Sequence, residues 1–254
     1  MNHRSIAIWL LRYAPLILFA LLFAVFGSLS GKFAEPQNLV NILIQSSATA
    51  VAATGMTVVL LTAGVDLSVG SVMFLVIAVT GKSIVDGQAL WLSFALGISV
   101  GLVCGTINAI LVTRLRIIAF IATLGTLFVI RGCGLWLTNT RAMNMPEEVT
   151  QLGAARLLGI PLPVIVMLAV AVAVHWALAN TPWGRQIYAI GSDIEAARKA
   201  GLRVVTILFS AYVLCGVCAA LSGLISLTQI GAVSPSFGQQ KEFAAIAAAF
   251  EASN

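Results

Sequence analysis

Eight apolar runs separated by short polar segments make up most of this sequence. They cover residues 13–30, 38–63, 72–85, 89–113, 117–137, 161–179, 204–227 and 243–250. A helix needs about 20 apolar residues to cross the hydrocarbon core of a bilayer. The pattern predicts an all-α fold, a polytopic transmembrane helix bundle with about seven complete spans and a truncated eighth.

Composition agrees with this prediction. Charged residues make up only 9% of the chain and hydrophobic residues 60%, and the mean hydropathy is +1.03. A soluble domain carries about 25% charged residues, so a water-soluble domain is excluded. The net charge of +5 comes from basic residues that stand singly or in pairs between apolar runs. We therefore expect membrane lipid as a partner and no nucleic acid.

Small residues indicate how the spans pack. Gly97, Gly101 and Gly105 recur at every fourth position of the fourth run. Helices in lipid associate through close packing of such residues, because lipid tails are as apolar as the helices themselves. The spacing predicts a groove for a neighbouring helix. Cys215 and Cys218, in the seventh run, lack the second pair or neighbouring His of a metal site, so no metal is expected.

Residues 181–203 form a strongly polar loop between two long apolar runs. The loop sets four basic residues against two acidic ones: Arg185, Arg198, Lys199 and Arg203 with Asp193 and Glu195. Residues 195–201 have the composition of a short exposed helix, which Asp193 or Ser192 caps and Gly201 ends. From composition alone this segment is either an amphipathic loop helix or a docking helix for a partner protein.

The basic residues also predict an orientation. With a cytoplasmic N-terminus, alternation of the spans places the leader, the 64–71 segment, the turn at Arg114 and Arg116, and the 181–203 loop in the cytoplasm. These segments hold eight of the 14 Lys and Arg residues. The two densest clusters lie inside, as the positive-inside rule expects.

Several motifs resemble the permease subunits of bacterial ATP-binding-cassette (ABC) importers. The run Glu195-Ala-Ala-Arg-Lys-Ala-Gly201 is similar to the EAA motif of these permeases. The break Gly64-Val-Asp-Leu-Ser-Val-Gly-Ser71 resembles the sugar-importing, ribose-type branch, as do residues 182–191, 123–132 and 241–249. The resemblance extends over essentially the whole chain.

This resemblance implies one transmembrane permease domain over residues 1–254, which translocates a monosaccharide across the bacterial inner membrane and is not an enzyme. Glu195, Ala196, Ala197 and Gly201 would form the coupling loop, within 181–203, for a cytoplasmic ATPase subunit. A second permease subunit, in a homo- or heterodimer, would complete the pathway, and a periplasmic binding protein would deliver the sugar. No cofactor is implied for this chain, because the ATPase subunit binds the ATP.

Three residues are candidates for the sugar pathway. Asp66 and Ser68 lie in the 64–71 break, and irregular backbone at membrane depth is tolerated only where it is buried in protein or lines a cavity. Asp66 either contacts a sugar hydroxyl or shapes the gate, or it caps the helix that follows. Arg131 interrupts the fifth run near its end, and it either lines the pathway or extends its charge to the membrane interface.

The chain departs from the family pattern after residue 249. In the family, this segment continues into a glycine-rich stretch and further membrane helices, so we expect the chain to lack the family's C-terminal helices. Two alternatives to a working permease therefore stay open. One is a secondary transporter that works without an ATPase, with Asp66 as its ion site. The other is a non-functional truncated remnant of such a permease.

Overall fold

The computed structural model describes residues 13–252, and within this part the chain forms eleven helices and four two-residue strands. The helices are α1 Ala14–Leu29, α2 Pro36–Leu60, α3 Val69–Val85, α4 Leu90–Thr113, α5 Ala119–Leu137, α6 Glu147–Ala154, α7 Leu162–Asn180, α8 Pro182–Ser192, α9 Ile194–Lys199, α10 Val204–Ile230 and α11 Lys241–Ala252. The strands are β1 Met143–Asn144, β2 Arg156–Leu157, β3 Ile160–Pro161 and β4 Ala232–Val233.

Each apolar run of the sequence lies on a helix. Five helices are long and apolar enough to cross a bilayer, namely α2, α4, α5, α7 and α10, and α1 and α3 are shorter apolar helices. The all-α membrane class is therefore confirmed, while the number of spans stays a prediction. Arg131 and Gly132 do not break the fifth helix, because α5 continues through them to Leu137.

The chain divides into two compact units, residues 1–44 and 45–254. In the first unit, the ring of Phe33 packs edge-on against Phe23, with centroids 5.0 Å apart, and stacks on Phe26 at 5.7 Å. Asn38 Nδ2 donates to the Phe33 carbonyl at 2.8 Å. These contacts fix the turn between α1 and the start of α2.

In the second unit, α4 and α10 make the most extensive helix pair. A Cβ atom on Gly105 would lie 2.7 Å from the Tyr212 carbonyl oxygen, and one on Gly101 would collide with Ala220 and Gly216. The two backbones approach so closely because these positions carry no side chain. The predicted groove is thus confirmed: α10 occupies it at Gly101 and Gly105, and at Gly97 it is shared by Thr80 of α3 and Leu224 of α10.

Helix α3 lies at the centre of the second unit and packs against α4, α5 and α10. Its side chains are buried along most of its length, as at Met73, Phe74 and Ile77. A 17-residue helix rises about 25 Å at 1.5 Å per residue, which is somewhat short of the roughly 30 Å hydrocarbon core. Helix α3 is therefore too short to cross the hydrocarbon core by itself, and the non-helical residues before it would have to contribute to the crossing.

Residues 231–240 run back along α3. Strand β4 pairs with β1, so that Val233 lies opposite Met143. Val233 packs on Gly81, near one end of α3, and the Gly238 carbonyl packs on Gly70, near the other end. These two glycines of α3 are separated by about 16 Å along the helix axis. The segment therefore re-enters the bundle along α3, and residues 235–240 form turns before α11 begins.

Candidate functional site

The 181–203 loop contains a helix that the sequence analysis did not predict. Pro182 occupies the first position of α8, and Thr181 Oγ1 accepts a hydrogen bond from the Gly184 amide at 3.3 Å. Ile187 and Ile190, three residues apart, are buried in the core. Proline at the first position and apolar residues at helical spacing are the sequence signals for this amphipathic helix.

The short helix predicted at 195–201 is present as α9. Asp193 caps it, since its Oδ1 accepts from the amides of Glu195 at 2.9 Å and Ala196 at 3.0 Å. This decides the choice of cap between Asp193 and Ser192. The exposed carboxylate of Glu195 pairs with Arg198 at 2.6 Å, and Gly201 follows the helix with φ +82°.

The candidate coupling residues differ in exposure. Glu195, Ala196 and Gly201 are exposed, whereas Ala197 is buried and belongs to the main core cluster. The Gly201 amide donates to the Arg198 carbonyl at 3.0 Å, which closes the last turn. Helix α9 is therefore anchored through Ala197 and presents its acidic and small residues outward.

Two contacts link this loop to the rest of the bundle. Trp183 Nε1 donates to Ser210 Oγ on α10 at 2.8 Å. The backbone of Gly191, in the last turn of α8, lies directly on the Leu61 carbonyl, so that any side chain at 191 would collide with it. Leu61 follows α2 and begins the segment that leads to Asp66. The loop thus abuts both α10 and the end of α2, from which the chain continues into the 64–71 break.

Asp66 and Ser68 lie together in a buried polar cluster. Asp66 Oδ1 accepts from the Ser68 amide at 2.9 Å and from the Ser68 hydroxyl at 2.7 Å. Asn108 Nδ2, on α4, lies 3.2 Å from both Asp66 oxygens and 2.7 Å from Ser68 Oγ. Thr126 Oγ1, on α5, donates to Asn108 Oδ1 at 2.7 Å. All four side chains are buried.

This cluster joins the break to α4 and α5. Ser68 and Asn108 both direct hydrogen-bond donors at the Asp66 carboxyl group. Asn108 and Thr126 were not singled out from the sequence. The one sequence signal is the polar side-chain amide of Asn108 inside the apolar run of α4.

Arg131 lies elsewhere on α5 and contacts the re-entrant segment. Its guanidinium donates to the carbonyls of Pro235 at 3.2 Å and Phe237 at 2.9 Å. It also lies over the ring of Phe74, 5.0 Å from the centroid, and interacts electrostatically with the buried Glu242. Arg131 is therefore held among protein groups, and within residues 13–252 no hydrogen bond joins it to the Asp66 cluster.

Residues 38–251 match the family described as branched-chain amino acid transport system / permease component. The chain belongs to this permease family. It is 37% identical to the ribose import permease protein RbsC of Escherichia coli over 246 residues, which are 94% of this chain and 76% of the relative. The Bacillus subtilis protein of the same name is 35% identical, with 93% of this chain and 74% of the relative covered.

Further relatives carry the names of other imported compounds. The D-allose transport system permease protein AlsC of Escherichia coli is 34% identical over 94% of this chain and 74% of its own length. The autoinducer 2 import system permease protein LsrC of Yersinia pseudotuberculosis is 37% identical over 89% of this chain and 65% of its own length. No solved structure gives a significant match. The resemblance to the ribose-type branch is thus confirmed by comparison of whole sequences.

Proposed function

We propose that this chain is the membrane-spanning permease subunit of an ABC importer, which translocates a monosaccharide across the inner membrane and is driven by a separate ATPase subunit. The observation that carries the proposal is an exposed, anchored helix, α9, on an apolar bundle of the permease family. The relatives named for ribose and D-allose support a sugar as substrate.

In this proposal Glu195, Ala196, Ala197 and Gly201 form the docking site of the ATPase subunit. The exposed residues of α9 would contact the ATPase, while Ala197 holds the helix on the bundle. Movement of the loop would then pass to α10 and, through Gly191, to the segment that begins at Leu61. ATP binding and hydrolysis in the ATPase subunit would thereby switch the pathway between outward and inward access.

The pathway itself involves Asp66, Ser68 and Arg131. We infer that Asp66 and Ser68 shape the break between α2 and α3, because their polar groups are bonded to each other and to Asn108. The alternative of an ion-driven secondary transporter would use Asp66 as its ion site, and it differs from this proposal in requiring no ATPase subunit. Arg131 would keep the re-entrant segment against α3.

The remaining parts of the proposal concern partners and orientation. A second permease subunit, in a homo- or heterodimer, would complete the pathway, and a periplasmic sugar-binding protein would deliver the substrate. The exposed basic side chains of the 181–203 loop support a cytoplasmic position for α8 and α9, and hence a cytoplasmic N-terminus, by the positive-inside rule.

Two loop variants test the docking site. Proline at 201 cannot adopt φ +82° and lacks the amide that closes the last turn of α9. Glu195→Lys reverses the exposed charge. We expect both Gly201→Pro and Glu195→Lys to insert into the membrane in normal amounts but to lose co-purification with the ATPase subunit and ATP-driven sugar uptake.

The matched control is Glu148→Lys, the same charge reversal at an exposed position of α6. It should leave both co-purification and uptake unchanged. Normal ATPase binding and uptake in both loop variants would show that α9 is not the coupling element. Uptake of labelled D-ribose and D-allose, with leucine as a comparison, would decide between a sugar and the substrate class in the family's description.

A further inference from the structure

The turn between the re-entrant segment and α11 lies deep within the membrane. Gly238 packs on Gly70, and Gly70 is about 22 Å along α3 from Val85, the end of that helix. On the other side, α11 rises about 13 Å between Lys241 and Phe250, where Phe250 lines a cavity with Leu61 and Gly191. The two distances add up to about 35 Å, slightly more than the roughly 30 Å hydrocarbon core, so the turn lies in the inner part of the core and not at either surface.

The turn is polar and partly exposed at this depth. Ser236, Gln239 and Gln240 are exposed, and among the described residues the two glutamine side chains have no hydrogen-bond partner. Gln240 also has φ +63°, so the backbone here is irregular. Lipid tails offer no partners to such groups, and irregular backbone at membrane depth occurs only inside protein or beside a water-filled cavity.

The backbone on the other side of the turn is already satisfied. Arg131 binds the carbonyls of Pro235 and Phe237 and lies over Phe74. These contacts fix the turn against α3 and α5, so its exposed face points away from both helices. Arg131 acts here as a positioning residue.

We propose that the exposed face of residues 236–241 lines the aqueous sugar pathway in the inner part of the hydrocarbon core, with the side-chain amides of Gln239 and Gln240 hydrogen bonding to hydroxyls of the monosaccharide. This rests on the proposed importer function. An amide both donates and accepts hydrogen bonds, as a sugar hydroxyl does. Each neutral hydrogen bond contributes only about 1 kcal/mol in exchange with water, which suits a ligand that has to leave the site again.

Thiol labelling tests whether the turn faces water. Gln239→Cys and Gln240→Cys are made in a Cys133→Ala background, because Cys133 is exposed while Cys104, Cys215 and Cys218 are buried. A charged, membrane-impermeant thiosulfonate reacts with thiolates, which form only in contact with water. The control is Phe128→Cys, at an exposed apolar position of α5.

In the assembled complex, we expect both glutamine positions to react about tenfold or more faster than Phe128→Cys, because only their thiols are hydrated. D-Ribose or D-allose should slow this reaction, while sorbitol at the same osmolarity should not. Reaction no faster than at Phe128→Cys would overturn the proposal, since the turn would then be covered by protein or lipid. Fast reaction that neither sugar slows would overturn the sugar contact.

Transport kinetics give a second readout. Loss of one hydrogen bond worth about 1 kcal/mol weakens binding about fivefold, so Gln239→Leu and Gln240→Leu should each raise the KM of uptake by about that factor. Gln151→Leu, an exposed glutamine on α6, should leave KM unchanged. An unchanged KM in both pathway variants would contradict the proposal. Absence of ATP-driven uptake in the unmodified complex would instead contradict the importer function. Thiol labelling and its protection by sugar do not depend on transport, so they test the pathway proposal separately.

Discussion

The buried cluster around Asp66 makes a quantitative prediction. Asn108→Leu replaces the side-chain amide by an apolar group of similar size. The change removes the two 3.2 Å contacts to the Asp66 oxygens, the 2.7 Å bond to Ser68 Oγ and the acceptor of Thr126 Oγ1. All four side chains are buried.

The expected loss of stability follows from these contacts. Leaving a buried polar group unsatisfied costs about 1–3 kcal/mol. Asp66 keeps its two bonds to Ser68, which places the expected loss near the middle of this range. We predict that Asn108→Leu lowers the free energy of unfolding by about 2 kcal/mol.

The second half of the prediction concerns the double variant. Asp66→Leu combined with Asn108→Leu removes the carboxyl group together with its partner, and apolar replacement of both partners of a buried hydrogen bond is often close to neutral. The double variant should therefore lose less stability than the sum of the two single variants, by about 2 kcal/mol, within the range for directly coupled residues.

Unfolding in detergent, followed by circular dichroism and denaturant titration, measures the four proteins of this cycle. Asn180→Leu is the matched control, because Asn180 is exposed and donates only to the Trp176 carbonyl of its own helix; it should lose little stability. Additive losses in the cycle, or a loss at Asn108 no larger than at Asn180, would refute the interpretation that Asp66 depends on Asn108 of α4 as its hydrogen-bond partner.

Three further predictions concern other contacts. Gly105→Ala places a Cβ atom 2.7 Å from a backbone carbonyl of α10, whereas the control Gly125→Ala places one in open space. Gly105→Ala should lower the unfolding temperature, at a cost of about 1–3 kcal/mol, and Gly125→Ala should not. Equal effects of the two variants would contradict the close packing of α4 on α10. Arg131→Met removes both bonds to the re-entrant segment and should speed hydrogen exchange over residues 233–241, so unchanged exchange would show that Arg131 does not hold the segment. Asp193→Ala should destabilise α9 by about 1 kcal/mol and reduce co-purification of the ATPase subunit. Asp193→Asn, whose side chain can also cap the helix, should retain normal co-purification. Equal amounts of ATPase subunit bound to the two variants would show that the cap does not matter for docking.

The sequence predicted the helices and one of their interfaces. The thickness of the bilayer sets the number of apolar residues that a spanning helix needs. Each apolar run of the sequence lies on a helix of the structure. The stripe of Gly97, Gly101 and Gly105 predicted a close helix contact because only glycine permits it. The cap and the end of α9 were also readable, since both depend on residues that adjoin the helix.

Contacts between distant parts of the chain could not be predicted in this way. Asp66 was singled out for its charge, but its partner Asn108 is 42 residues away, and no local pattern records that pairing. Arg131 similarly binds carbonyls more than 100 residues further along the chain. Residues 234–240 lie between two apolar runs of the sequence, and their path along α3 depends on the pairs Gly70–Gly238 and Gly81–Val233. Helix α8 was missed because its apolar residues are few.

ATP-dependent uptake is the most direct test of the central claim. The chain is reconstituted in proteoliposomes with its ATPase subunit and binding protein, and entry of labelled D-ribose and D-allose is measured with ATP enclosed on the side of α9. We expect uptake that requires hydrolysable ATP and ceases when the ATPase subunit carries a substitution that blocks hydrolysis. Uptake that continues without ATP or without the ATPase subunit, or an ATPase subunit that never co-purifies with the chain, would contradict it.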